Sequence, residues 1–385
     1  MQIGIDALSV VPHETGGGET YLRELLAELG PAAARRGHAV HVYGSTNNLT
    51  LFDGAADLTC VPVMADNRRR SRRLLFEHFR LGPRLARDGI DVLFAPGNAL
   101  PLRLRCPAVL GVQSLHSFVV PQEMSRFRVL YFRRIVPGSA RRAERVLCVS
   151  EDIRRLLLEA VPGLDAGKVR VVYEGAPEDL VRVTDRARIA EVCGRLGVTP
   201  DAFVLFVSSL NPFKRPEAAV RAVGHLRDAH DEHWPLLLAG RASPEHTERV
   251  RAAARAIGAD DLVRIVGTVG REDLEVLYSA ARAMIYPSTV ETFGLPPLEA
   301  MACGCPVVAS NRSCIPEITG DAALLVDPDD EAQVAASLHR VLHDDNLRDA
   351  LVARGLTRIR RFRWDVAAEQ TLDLLEEAAA CSRTP

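Results

Sequence analysis

Ala283-Met-Ile-Tyr-Pro-Ser-Thr-Val-Glu-Thr-Phe-Gly-Leu-Pro-Pro-Leu-Glu-Ala-Met-Ala-Cys-Gly304 reads as a short apolar strand, a polar turn and a short helix. The strand ends at Tyr286. Pro296 and Pro297 suit a first helical turn, where a missing N–H costs nothing because it would have no acceptor. Gly304 stops the helix. Between strand and helix, Phe293-Gly294-Leu295 presents backbone N–H groups along a positive helix end, an anion site whose natural guest is a diphosphate.

The same strand–loop–helix rhythm extends in both directions. Upstream lie strand candidates Phe203–Ser208, Leu236–Ala239 and Val263–Val266, and downstream Val307–Ala309 and Leu324–Val326. An earlier series comprises Ile3–Ala7, Ala39–Tyr43, Val92–Ala95, Ala108–Val112, Arg145–Val149 and Val169–Tyr173. Amphipathic stretches separate them, such as Thr20–Ala34 with Tyr21, Leu22, Leu25, Leu26 and Leu29 on one face. Apolar strands alternating with helices predict βαβ units and buried parallel sheets. The rhythm breaks from Gly175 to Pro200, so the 385 residues divide into two α/β domains, placed at 1–180 and 181–364. A last helix, from about Phe362 to Ala379, must pack Val366, Leu372, Leu374 and Leu375 on something. Ligands of such sheets sit beyond the carboxyl ends of the strands.

Composition narrows the classes. Apolar content of 47% and charged content of 25% belong to an ordinary globular chain. A net charge of −2 gives no reason to expect nucleic acid, but between Asp66 and Arg145 there are 17 Arg against 6 acidic residues. The basic region 68–145 offers a surface to anionic lipid headgroups or acceptors; a solvated helical face would have the same composition. Eight scattered cysteines form no C-x-x-C pair and fit free thiols in a reducing compartment. The start Gln2-Ile3-Gly4-Ile5-Asp6 reads as a strand rather than a signal peptide, and no segment has the length of an apolar span. A cytoplasmic chain, at most peripheral to a membrane, is expected.

Four groups of residues carry the chemistry. Glu291 and Glu299 bracket the Phe293–Leu295 turn; Glu299 on the first helical turns could accept from a ribose diol, although simple dipole compensation would put an acid there too. Lys214, in Ser208-Ser-Leu-Asn-Pro-Phe-Lys-Arg-Pro216, follows the first strand of the second half. Lys168 and Lys214 are the only lysines in an Arg-rich chain, so a compact point charge for a phosphate oxygen is expected at Lys214. Thr15-Gly16-Gly17-Gly18-Glu19 lets backbone approach a ligand, as would any flexible turn. Ser150-Glu151-Asp152 reads as a helix cap with dipole-complementing acids.

Together the Glu-x7-Glu element with Phe-Gly-Leu-Pro, the Lys-bearing loop and the Gly-Gly-x-Glu loop resemble the GT-B glycosyltransferases of family 4, in that family's order and over essentially the whole chain. The resemblance implies two Rossmann-like, doubly wound parallel-sheet domains facing an interdomain cleft, with the last helix (365–385) crossing back to the N-terminal, acceptor-side domain. It implies a retaining transfer of a hexose-type sugar from a UDP- or GDP-sugar to an acceptor hydroxyl, with no cofactor; the sequence near these loops carries no Asp-rich cluster, so no metal is expected. It assigns Glu299 to the ribose, Glu291 to sugar hydroxyls, Phe293, Gly294 and Leu295 to the sugar and β-phosphate, and Lys214 to the diphosphate. Gly16 and Gly17 would close over the diphosphate, and Val269 would meet the nucleobase. Three departures stand out. Ser208-Ser209 replaces a common Gly-Arg, Thr292 replaces a Gly, and Gln113-Ser114 stands where His-Asp is common, leaving His116 as the histidine candidate. A nucleotide-sugar epimerase, or a non-catalytic nucleotide-sugar binder, would use the same fold.

Overall fold

The computed structural model describes residues 1–12, 16–64, 66–177 and 179–381; Thr15 of the glycine loop lies outside them. The chain forms two compact units, Met1–Gly175 with Phe362–Pro385, and Ala176–Arg361. The chain therefore changes unit five residues before the boundary expected at 180, and returns at 361/362.

The first unit is built on strands β1 (Gln2–Asp6), β2 (Ala39–Ser45), β3 (Leu58–Met64), β4 (Val92–Ala95), β5 (Ala108–Val112), β6 (Arg145–Cys148) and β7 (Val169–Val171), all parallel, in the order β3-β2-β1-β4-β5-β6-β7. Strands β4 and β5 are buried along their whole length, as strands covered by helices on both faces must be. β3, absent from the strands expected, is an edge strand: none of its seven residues is buried and Pro62 lies within it, both marks of an edge.

The C-terminal helix Trp364–Cys381 packs on β4, β5, β6 and the helix Gly17–Arg35. It buries Ala368, Leu372, Leu375 and Ala378 completely. Val366, expected on that face, is instead 42% exposed. Arg36 adds ion pairs to Glu369 (2.5 Å), Asp373 (2.7 Å) and Glu376 (3.1 Å), each worth well under ~1 kcal/mol at this exposure, so the apolar stripe supplies most of the hold. Both crossings between units are tied to this helix. Any Cβ on Gly175 would lie 2.3 Å from Trp364 Cγ, and the Tyr173 ring meets Phe362 edge-on at 5.6 Å. Beside them Glu174 is buried, and burial lifts its carboxyl to about 8.

The second unit has β8 (Val204–Val207), β9 (Leu236–Ala239), β10 (Val263–Gly267), β11 (Ala283–Tyr286), β12 (Val307–Ser310) and β13 (Ala323–Val326), again all parallel, in the order β10-β9-β8-β11-β12-β13. Strand order reverses between β8 and β11. That neighbouring pair, with loops departing to opposite faces, is the switch point where a doubly wound sheet opens a crevice.

Candidate active site

The loops leaving β8 and β11 are stitched together. The Phe213 carbonyl accepts from the Thr289 N–H (2.8 Å), the Thr289 hydroxyl (3.0 Å) and the Ser288 hydroxyl (3.3 Å). This brings together two side chains 77 residues apart: the Lys214 ammonium donates to both oxygens of Glu291, each at 2.6 Å. The pair is well shielded, with the side chains 14% and 7% exposed. Tyr286, at the end of β11, donates its hydroxyl to Glu291 Oε1 at 2.5 Å and lies under the ammonium at 5.9 Å; Phe213 flanks it at 5.3 Å. Burial first, and the Glu291 carboxylate second, push the Tyr286 hydroxyl well above its ordinary value, so it stays a donor.

Glu291 is fixed through its backbone as well. Its N–H donates to Ser313 Oγ (3.2 Å), and that hydroxyl donates back to the Glu291 carbonyl (2.7 Å). The chain then turns at Gly294, where φ is +94° and an added Cβ would meet Ile315 Cδ1 at 2.9 Å. Only glycine takes this conformation cheaply. It starts the helix Leu295–Ala302, whose first-turn N–H groups have no intrahelical acceptor; Pro296 and Pro297 contribute none. Thr292 keeps a negative φ, so the backbone does not call for glycine there. One turn on, Glu299 is half-buried and accepts the Tyr278 hydroxyl at 2.8 Å. Burial raises its carboxyl, with Tyr278 opposing.

The rest of this carboxyl edge carries β9 and β10. Gly240, at a φ of +149°, lies so close to the loop after β8 that a Cβ there would be 1.9 Å from the Ser208 carbonyl oxygen. The Leu210 N–H donates to the Arg241 carbonyl (3.1 Å), which sets Arg241 on the edge beside Ser208-Ser209, a cation that sequence reasoning left unassigned. Val269 is half-buried between Gly267, at φ +73°, and Gly270. The structure thus gathers Lys214, Glu291, Phe293, Gly294 and Leu295 at one point, with Glu299 along the helix and Val269 two strands away.

Gly16, Gly17 and His116 belong to the first unit, also at the carboxyl edge of its sheet. Gly16 caps the helix Gly17–Arg35 at φ +60°, and no described atom lies within 4 Å of a Cβ built on either glycine. The start of the loop after β1 is braced at Val10 by Asn48 and Asn67, whose amides donate to the Val10 carbonyl at 2.8 and 2.5 Å. His116 begins the turn His116–Val119 and bonds through Nδ1 to the Ser114 hydroxyl. Asn98 holds this loop, accepting from the Gln113 N–H (2.8 Å) and donating to the Ser114 carbonyl (2.9 Å). Buried Asp6 ends β1; burial lifts its carboxyl to about 6 against the pull of the Leu8 N–H and Arg73.

Residues 196–358 match the family described as glycosyl transferases group 1, and residues 15–180 that described as glycosyltransferase family 4. The chain is 30% identical to the O-antigen chain mannosyltransferase B of Escherichia coli over 344 residues, covering 84% of this chain and 89% of that protein. The chain belongs to glycosyltransferase family 4. As a family 4 enzyme it transfers a sugar from a nucleotide-sugar donor. A D-inositol 3-phosphate glycosyltransferase of Acidothermus cellulolyticus is 36% identical over 58% of this family 4 chain, which spans about half (51%) of that relative. The fold is shared with Anabaena HepE in complex with UDP and glucose, at 20% identity and a TM-score of 0.75 over 97% of this chain and 98% of that one. It is shared equally with sucrose-phosphate synthase of Thermosynechococcus elongatus, at 22% identity and a TM-score of 0.76 over 99% and 100%.

Proposed function

We propose that this enzyme is a metal-independent, retaining hexosyltransferase that moves a sugar from a UDP- or GDP-hexose to an acceptor hydroxyl. The observation that carries the reading is the Lys214–Glu291 pair at the β8/β11 switch point, at the mouth of the helix Leu295–Ala302. Breaking the glycosyl C1–O bond gathers negative charge on the departing diphosphate. Lys214, the first-turn N–H groups and the positive helix end are fixed donors for that charge, and in a shielded site they act without reorganising. Arg241 supplies the second cation in place of the arginine missing at Ser208-Ser209.

Glu291 holds sugar hydroxyls, its carboxylate fixed by Lys214 and Tyr286. Because both its oxygens are engaged as acceptors, it is a poor nucleophile, and retention proceeds by front-face attack with the leaving phosphate taking the acceptor proton. Glu299 accepts from the ribose diol. Val269 contacts the base, and the backbone N–H groups of Gly16 and Gly17 bind phosphate. His116 faces the acceptor. A hexose is favoured by the name of the mannosyltransferase relative.

The acceptor side includes a lipid contact. Leu75, Phe79, Leu102, Phe127 and Leu130 are 61%, 41%, 50%, 66% and 54% exposed within the Arg-rich region. Apolar side chains set among arginines suit the headgroup layer of an anionic bilayer. No helix of the described residues is long and apolar enough to cross one.

Incubating the purified chain with UDP- and GDP-hexoses and lipid-linked or soluble glycan acceptors, with anomeric configuration read by NMR, tests the reading. Transfer with retained configuration in excess EDTA is expected. Inverted product, or activity lost in EDTA and restored only by Mg²⁺ or Mn²⁺, overturns it. Binding of nucleotide without any transfer or donor hydrolysis would make the chain a non-catalytic binder.

A further inference from the structure

At the amino end of the second sheet, away from the loops of the active site, three side chains with metal-ligating atoms meet. His339 and His343 lie one turn apart on the helix Glu331–His343, so both imidazoles project from the same face. Glu232 reaches them from the short segment between the helix Pro216–His230 and β9. Asp231, in the left-handed conformation at φ +57°, turns the chain to deliver it. Glu232 Oε1 is 3.3 Å from His339 Nε2, and Oε2 is 3.0 Å from His343 Nε2. One ligand atom from each residue lies within 4.8 Å of the others.

These separations are close to those of a coordination shell. Bonds of about 2.0–2.2 Å to nitrogen and oxygen in a tetrahedral site leave neighbouring donor atoms roughly 3.3–3.5 Å apart. Closing the set needs about 1–1.5 Å of movement by side chains that are only partly covered, at 31%, 45% and 21% exposure. An outer partner already orients the carboxylate: Trp234 Nε1 donates to Glu232 Oε2 at 2.9 Å. Such partners fix a ligand's direction and sharpen affinity. The imidazoles are held as well, His230 stacking on His339 at 4.1 Å and His339 lying 4.5 Å from His343.

We propose that Glu232, His339 and His343 form a binding site for a divalent transition-metal ion of the Zn²⁺ class. Two imidazoles and one carboxylate, without thiolate and with a single oxygen donor residue, select Zn²⁺, Ni²⁺ or Cu²⁺ over Mg²⁺ or Ca²⁺. Water completes the shell. The ion takes no part in sugar transfer, because Glu232 and Trp234 precede β9 and so lie at the end of the sheet opposite Lys214. It clamps the helix Glu331–His343 to the segment 231–235, and so stabilises the donor-binding unit from behind.

The test uses the full chain, stripped with EDTA and desalted, titrated with ZnCl2 by calorimetry and with CoCl2 by visible absorption. One equivalent of Zn²⁺, a Co²⁺ ligand-field band, and a rise in Tm of about 5 °C at ~100-fold the Kd are expected. His339→Ala/His343→Ala should abolish the band and the Tm response and weaken Zn²⁺ at least ~100-fold, while Glu232→Gln weakens it about 10–100-fold. Circular dichroism and unchanged nucleotide affinity will show that the variants are folded. Failure to bind Zn²⁺ stoichiometrically, or binding that survives the double substitution, for example on cysteine thiols, overturns the proposal.

Discussion

Replacing Lys214 by methionine keeps the side chain's length and removes its charge, leaving Glu291 with the Tyr286 hydroxyl as its remaining side-chain donor among those described. At 2.6 Å and an effective dielectric near 20 the pair attracts by about 6 kcal/mol, most of which offsets the desolvation of two shielded charges. The net worth of the pair is therefore small, whereas stranding one member costs about 3–5 kcal/mol. Lys214→Met should destabilise the second unit by roughly 3 kcal/mol. Glu291→Gln should cost less, about 1–2 kcal/mol, because the lysine stem can swing its ammonium toward water. In Lys214→Met/Glu291→Gln no charge is stranded, so the cycle should show a coupling of about 2 kcal/mol. Chemical denaturation can read this unit by unit, since of the two tryptophans Trp234 lies in the second unit and Trp364 in the first. In transfer assays, Lys214→Met should lower kcat/KM by about 10²–10³, the usual effect of losing one donor to a developing anion. Coupling below ~0.5 kcal/mol would mean that the pair does not persist in solution. Activity within about threefold of the parent would remove Lys214 from the diphosphate.

The two glutamates should separate kinetically: Glu299→Gln raises donor KM and weakens free UDP or GDP, whereas Glu291→Gln depresses kcat and leaves nucleotide affinity nearly intact. Calorimetry beside steady-state kinetics would expose a reversed assignment. Gly294→Ala places a Cβ 2.9 Å from Ile315 Cδ1 at a positive φ, so a loss of about 1–3 kcal/mol is expected together with weaker nucleotide binding; a neutral Tm would show that the turn relaxes freely. Burial lifts Glu174 from 4.5 to about 8. Below the unfolded value both states hold the proton. As pH rises from about 4.5 to 8 only the unfolded state releases it, so stability falls by up to about 5 kcal/mol across that window. Glu174→Gln should flatten the slope seen by Trp364 fluorescence; an unchanged slope would mean that Glu174 is hydrated in solution.

Much of this was legible in the sequence because parallel strands buried on both faces are short, apolar and regularly spaced. The strands from Val204 to Val326 all fall where the apolar runs do. Lys214 stood out by its rarity, and the turn Phe293–Leu295 by its prolines and glycine. What stayed hidden depends on long-range pairing. That Lys214 and Glu291 bind each other follows only from β8 lying beside β11, a consequence of strand order rather than of any local pattern. The tyrosines that fix both glutamates, Tyr286 and Tyr278, read as core aromatics until their hydroxyls are placed. β3 escaped because Pro62 interrupts its apolar run, and a proline within a run argues against a strand. His339 and His343 were visible at helical spacing, but Glu232, more than 100 residues earlier, has no local signal that it joins them.

The last helix has a consequence for how the chain is made. Residues 176–361 form a continuous unit inserted into one that is not continuous, and the first unit receives Trp364–Cys381 only after the insertion has been synthesised. At ordinary ribosomal rates the insertion takes about 10–40 s, during which one side of β4–β6 lacks its covering helix. The second unit can finish folding while the first, begun earlier, still waits. A nascent chain arrested before residue 364 would thus expose the older half to aggregation and proteolysis, and leave the younger half intact.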